Sequence, residues 1–180
     1  MTEEPLERLP ERESDEVWDR FDGAFAFRPN MQKFPAITEP AESITWSLDA
    51  LDDRLDERKI DRIVTLICDA LATCTPPGSS LLILQWHTTS YQLRPDLPPT
   101  DMFLPEPLTR HLPPGWPRSL YPYGEYPIAI SEDFQYGSFG HPWERTLCLF
   151  GSDLLDCVAD ELTTHLPTIV RRGGQPVAPR

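Results

Sequence analysis

Apolar residues along this chain repeat with two periods, and the switches between them mark out its elements. Ser43 to Leu48 places Ile44, Trp46 and Leu48 on one face and Thr45 on the other, which predicts a first strand. The helical stretch that follows changes phase. At about 100° per residue, Leu51 and Leu55 lie within roughly 40° of each other, whereas Ile60, Ile63, Val64, Ile67 and Leu71 cluster about 140° away. A short turn broken near Asp56, then a main helix from about Glu57 to Thr73 stopped by Pro76-Pro77-Gly78, satisfies both clusters. Leu81 to Trp86 is a continuous apolar run too short for a helix, hence a buried central strand. His87 to Leu93 alternates His87, Thr89, Tyr91 and Leu93 against Thr88, Ser90 and Gln92. It either continues the preceding strand through a bulge or turns back beside it.

Tyr126 to Ser131 and Glu144 to Phe150 read as two more strands, the second apolar on both faces. A last helix runs from about Asp153 to His165, with Ser152 as its expected N-cap and Leu154, Leu155, Val158, Ala159, Leu162 and Leu166 as its apolar stripe. Near the amino terminus, Glu16 to Phe21 reads as a short helix stapled by Trp18 and Phe21, and Ala24 to Phe27 as an extended edge segment. Between Pro95 and Pro127 there is no period, and ten prolines forbid a long helix or a central strand. Met102, Phe103, Leu104, Leu112, Trp116, Leu120, Tyr121 and Tyr123 are too apolar for a solvated linker, so the segment is expected to be a long, ordered excursion laid over the sheet. The sum is an α+β fold: a single domain with an antiparallel or mixed sheet of about five strands, two main helices packed on one face, and the proline-rich excursion. Its expected limits are an acidic disordered leader at 1–14, the domain at 15–167 and a flexible carboxy-terminal tail at 168–180.

Charge narrows the function. The 180 residues carry 29 Asp and Glu against 16 Lys and Arg, a net charge of −13, which repels a phosphate backbone. Nucleic-acid binding is therefore not expected. Residues 1–19 alone hold eight acidic and two basic side chains, nearly half the net charge, and contact of this stretch with a basic partner is one reading of it. No apolar run approaches a membrane span and no signal peptide opens the chain, so a cytoplasmic protein is expected. Cys68, Cys74, Cys148 and Cys157 lack zinc or redox-motif spacing and read as free thiols, with Cys68 and Cys148 in core packing. No cofactor and no metal are implied. Nothing in the pattern bears on oligomeric state.

One stretch concentrates chemistry: Ser131 to Glu144, with acids, aromatics, two glycines and a histidine between predicted strands. His141 has the side chain suited to proton exchange near neutrality, and Glu144 or Asp133 could orient it, so these three are the catalytic candidates. Glu132, Phe134, Tyr136, Phe139, Trp143 and Tyr91 are the candidate binding residues. His141, Glu144 and His87 would give a metal at most three ligands, and Gly137 and Gly140 lack the Lys-Ser/Thr of a phosphate loop. The competing structural reading is an aromatic-buttressed hairpin whose acids cap turns.

The run Phe139-Gly140-His141-Pro142-Trp143-Glu144, preceded by Ser131-Glu132-Asp133-Phe134 and followed by Thr146, Cys148, Phe150 and Gly151, resembles an uncharacterised bacterial family, domain of unknown function 2716. Trp18-Asp19-Arg20-Phe21, Phe25, Phe27-Arg28-Pro29, Trp86-His87, Tyr91 and Pro95 fit the same resemblance, although Trp86-His87-Thr88 stands where a more amide-rich stretch is expected. The resemblance implies one domain over nearly the whole chain after the leader and brings no activity, cofactor or catalytic residue with it. Two functions are carried forward. The first is a non-catalytic binding or interaction module, such as an inhibitor or immunity-type protein for a basic protein partner. The second is a small hydrolase or transferase using His141 with Glu144 or Asp133.

Overall fold

Strands that are apolar at every position must be covered on both faces, and the three strongest runs of this chain meet that condition. The computed structural model describes residues 4–86, 89–99 and 113–178. Along the chain run β1 (Leu6–Arg8), α1 (Glu11–Phe25), β2 (Ser43–Ser47), α2 (Glu57–Cys74), β3 (Leu81–Gln85), β4 (Tyr91–Leu93), β5 (Pro127–Ser131), β6 (Gly137–His141), β7 (Thr146–Phe150), α3 (Ser152–His165), β8 (Ile169–Arg172) and β9 (Gln175–Pro176). Together they make a single domain of mixed α and β structure. Among the described residues one sheet of nine strands runs in the order β1-β4-β3-β5-β6-β7-β2-β8-β9, with every neighbouring pair antiparallel.

Alternation along the strands divides the core in two. Trp46, Leu81, Ile83, Ala129, Leu147 and Leu149 point to the face covered by α2 and α3, where they meet Ile60, Ile63, Ile67, Leu71, Leu154, Val158 and Leu162. Leu82, Leu84, Ile128, Ile130, Phe139, Cys148 and Phe150 point to the opposite face, under Phe21 and Phe25 of α1 and the segment carrying Phe27, Ala36 and Ile37. The phase break before α2 is real. Asp52 Oδ1 accepts the N–H groups of Arg54 and Leu55 in a tight turn, Leu51 is buried, and Leu55 is left 84% exposed.

The expectation of about five strands is corrected to nine. The four added strands are the short outer pieces β1, β8 and β9 and, inside the sheet, β6, where the glycine-bearing pattern predicts a loop. The stretch expected as a disordered leader at 1–14 instead holds β1, paired with β4, and the first turn of α1. The stretch expected as a flexible tail at 168–180 holds β8, paired with β2, and β9, paired with β8. The short helix expected at 16–21 is the centre of a fifteen-residue α1 that also takes in Ala24 and Phe25 of the expected edge segment, ending where Ala26 turns left-handed at φ 49°. Tyr91–Leu93 turns back onto β3 rather than prolonging it, pairing Leu81 with Leu93 and Ile83 with Tyr91. Ser152 is the first residue of α3 and not its N-cap. Gly151 takes that place at φ 99°, where a Cβ would come within 2.4 Å of Tyr136 Cβ. Of the excursion, Met102, Phe103, Leu104 and Leu112 lie outside the described residues, while Trp116, Leu120 and Tyr121 are buried in the core under α2 and α3.

Candidate functional site

The segment 131–144 forms two tight turns with β6 between them, so its candidate residues are carried to opposite ends of a strand. His141 closes β6 with 1% of its surface exposed. Its Nδ1 accepts the backbone N–H of Glu144 at 3.1 Å, which puts the proton of the neutral ring on Nε2. That Nε2 is buried with no hydrogen-bond partner. Around the imidazole stand the rings of Phe34, Tyr126 and Trp143, with centroid separations of 4.9, 5.0 and 6.3 Å and edge-on geometry. Burial draws the imidazole pKa down to about 4, with the Glu144 charge opposing and the Arg171 charge adding to the shift. At neutral pH this is an uncharged histidine.

The Glu144 carboxylate is engaged elsewhere. Arg171 of β8 spans it with Nη1 to Oε1 at 2.5 Å and Nη2 to Oε2 at 2.9 Å, and Thr146 donates its hydroxyl to Oε2 at 2.8 Å. The same guanidinium reaches Glu39 Oε1 from Nε at 2.9 Å. Arg171 and Glu39 are both buried, so a carboxylate–guanidinium–carboxylate triad ties β8 to the β6–β7 turn and to the segment before β2. Structure brings Glu144 to His141, but through its backbone N–H.

Asp133 lies at the other end of β6, about 13 Å of strand away at roughly 3.3 Å per residue. Its Oδ1 accepts the Ser131 hydroxyl at 2.7 Å and the Gln135 N–H at 3.3 Å, which is turn capping. Glu132 accepts Gln92 Nε2 at 2.8 Å through its carboxylate and Arg20 Nη2 at 2.7 Å through its carbonyl. Phe134, left-handed at φ 62°, packs on Phe21 and Phe25 beneath the Arg20 guanidinium, 4.6 Å from the ring centre. The Tyr136 hydroxyl donates to Thr75 Oγ1 at 2.9 Å, Phe139 is in the core, and Tyr91 packs half-buried on β4. Trp143 packs edge-on against Tyr126 and stays 36% exposed. His87 lies outside the described residues. Among the described residues, no three His, Cys, Asp or Glu side chains are gathered where they could hold a metal ion.

A concave surface lies away from the 131–144 segment. A groove of about 1240 Å³ runs between α1 and the chain around β1, Trp86 and Ser90. Its wall is one face of α1: Glu11, Asp15, Asp19 and Asp22 fall within an arc of about 80° at 100° per residue. Its floor is aromatic, with Phe27 against Trp18 at 5.7 Å and against Trp86 at 6.2 Å. Arg8 contributes the one basic lining side chain, and Ser14 Oγ donates to Ser90 Oγ at 2.9 Å where helix and sheet meet. Arg12 pairs with Glu16 on the neighbouring face, leaving the four groove carboxylates exposed and without an ion pair among the described residues. The sequence predicts only the middle of this helix, at 16–21, with its first turn assigned to the leader. The signal was present: Pro10 at the N-cap followed by Glu11 and Glu13 in the first turn is a helix start, and Asp15, Asp19 and Asp22 keep its spacing.

Comparison with known proteins agrees with the resemblance seen at the β6 segment. The family model described as Protein of unknown function (DUF2716) matches residues 8–155, most of the chain, and the chain belongs to that family. It is similar to the "Uncharacterized protein YxiI" of Bacillus subtilis (strain 168), 20% identical over 158 residues that cover 85% of this chain and 91% of that protein. No solved structure matches.

Proposed function

We propose that this member of the DUF2716 family is a non-catalytic binding module, and that its α1 groove takes an arginine- or lysine-bearing segment of a basic protein partner. The observation that carries this reading is the row of four unpaired carboxylates facing an aromatic floor. A carboxylate row attracts cationic side chains, and indole faces stack on guanidinium and ammonium groups. At about 1240 Å³ the groove exceeds the roughly 300–1,000 Å³ of a small-molecule pocket and suits an extended chain. An inhibitor or immunity-type protein directed at a basic effector is the specific form of this function. The hydrolase or transferase reading has less support. It would rest on a neutral, buried His141, a Glu144 carboxylate held by Arg171, and an Asp133 a strand's length away.

The test is the affinity of a fluorescent hexa-arginine peptide at low salt. Asp15→Asn with Asp19→Asn should weaken binding about tenfold, the sum of two exposed charge pairs. Asp156→Asn with Asp160→Asn removes the same charge from the exposed face of α3 and should change it little. Equal losses in the two variants would reduce the interaction to net charge and defeat the proposal.

A further inference from the structure

We propose that Cys74 and Cys157 form a dithiol site that takes a low-molecular-weight disulfide as its substrate and closes to an intramolecular disulfide pinning the end of α2 to α3. Cys74 is the last residue of α2 and Cys157 lies in the second turn of α3, with their sulfur atoms 3.8 Å apart. The thiols are already in contact. Bond formation needs a sulfur–sulfur approach of about 1.8 Å, since a disulfide is about 2.05 Å long, and side-chain rotation at a helix end and an exposed helix surface supplies it. The other two thiols are excluded by position: Cys68 is buried in the core under α2 and Cys148 in the core on the opposite face of the sheet.

Exposure assigns the order of events. Cys157 is exposed and Cys74 half-buried. Burial, the hydrogen bond to Cys157, and the nearby Asp153 charge push the Cys74 thiol up to about 12. Cys157 is the thiol a small disulfide can reach from solvent, so its sulfur attacks one sulfur of that disulfide, its proton leaving with the small thiol released. That bond breaks, a mixed disulfide forms on Cys157, and one small thiol leaves. Cys74 then gives up its proton and its sulfur attacks Cys157 Sγ, forming the Cys74–Cys157 bond and expelling the second small thiol. One disulfide and two protein thiols become one protein disulfide and two small thiols. The closed bond spans 83 residues of chain, and a long loop makes the constraint on the unfolded state large.

The full-length reduced chain is incubated with oxidised glutathione, its thiols are counted, and non-reducing peptide mass spectrometry locates any link. Wild type should fall from four free thiols to two, yield a linked Cys74–Cys157 peptide and retain no glutathione. Its thermal midpoint should rise by about 5–10 °C and return on reduction. Cys74→Ser should trap glutathione on Cys157, and Cys157→Ser should keep its three thiols. Wild type that keeps all four thiols, stops with glutathione on Cys157, or links between chains would overturn the proposal.

Discussion

His141 gains nothing from its charged form in the folded protein. Its Nδ1 is filled by a backbone N–H, its Nε2 is buried without a hydrogen-bond partner, and burial holds its pKa at about 4 against about 6.5 in an unfolded chain. As pH falls from 6.5 towards 4, the unfolded state takes up a proton that the folded state refuses, so folding stability drops across that window. Above about pH 6.5 the contribution is flat. The full difference is on the order of 3 kcal/mol. Denaturant midpoints between pH 7 and pH 4 should fall more steeply in wild type than in His141→Asn, whose amide keeps an acceptor and a donor but does not titrate. Identical slopes would mean that the imidazole is not the group responsible. The residue was conspicuous in the sequence, but its role was not, because neither burial nor the hydrogen bond at Nδ1 is visible from spacing.

At the scale of elements, the long regular ones were legible and the short or irregular ones were not. β3, β5, β7, α2 and α3 announce themselves because their apolar period is unbroken over five residues or more. β6 hides behind Gly137, Ser138 and Gly140, residues that read as turn. Its glycines are there for contact: a Cβ on Gly137 would meet Ala129 O at 2.5 Å and Phe150 Cζ at 2.9 Å. Gly137→Ala should therefore cost about 2–3 kcal/mol, at the upper end for overpacking. Ser138→Ala, which deletes a buried hydroxyl lacking a partner, should be neutral or slightly stabilising. Chemical denaturation of the two variants checks both, and a tolerated Gly137→Ala would mean that β5 and β6 are not packed as described. β1, β8 and β9 were out of reach for another reason: strands of two to four residues have too few positions for a period, and their pairing partners lie far away in sequence. For the site, the sequence singled out two turns and a strand, whereas the groove depends on α1 meeting Trp86 across the fold.

Across the whole molecule, the charge is arranged as well as abundant. Eight of the 29 acidic residues precede residue 20, and the helix formed there turns four of its carboxylates onto one concave surface. The opposite side of the sheet is occupied by α2 and α3, which are joined by the Cys74–Cys157 contact and an Arg62–Glu161 ion pair at 2.5 Å. The proposed recognition groove and the proposed dithiol site therefore fall on opposite faces and can be measured independently. The position at which a basic ligand binds decides the proposed function. The most direct measurement is amide hydrogen exchange of the full chain with and without saturating hexa-arginine peptide. Protection confined to α1 and the strand-edge segment around Ser90 is the predicted result. Protection spread over α2 and α3, or none beyond a uniform change, would contradict it.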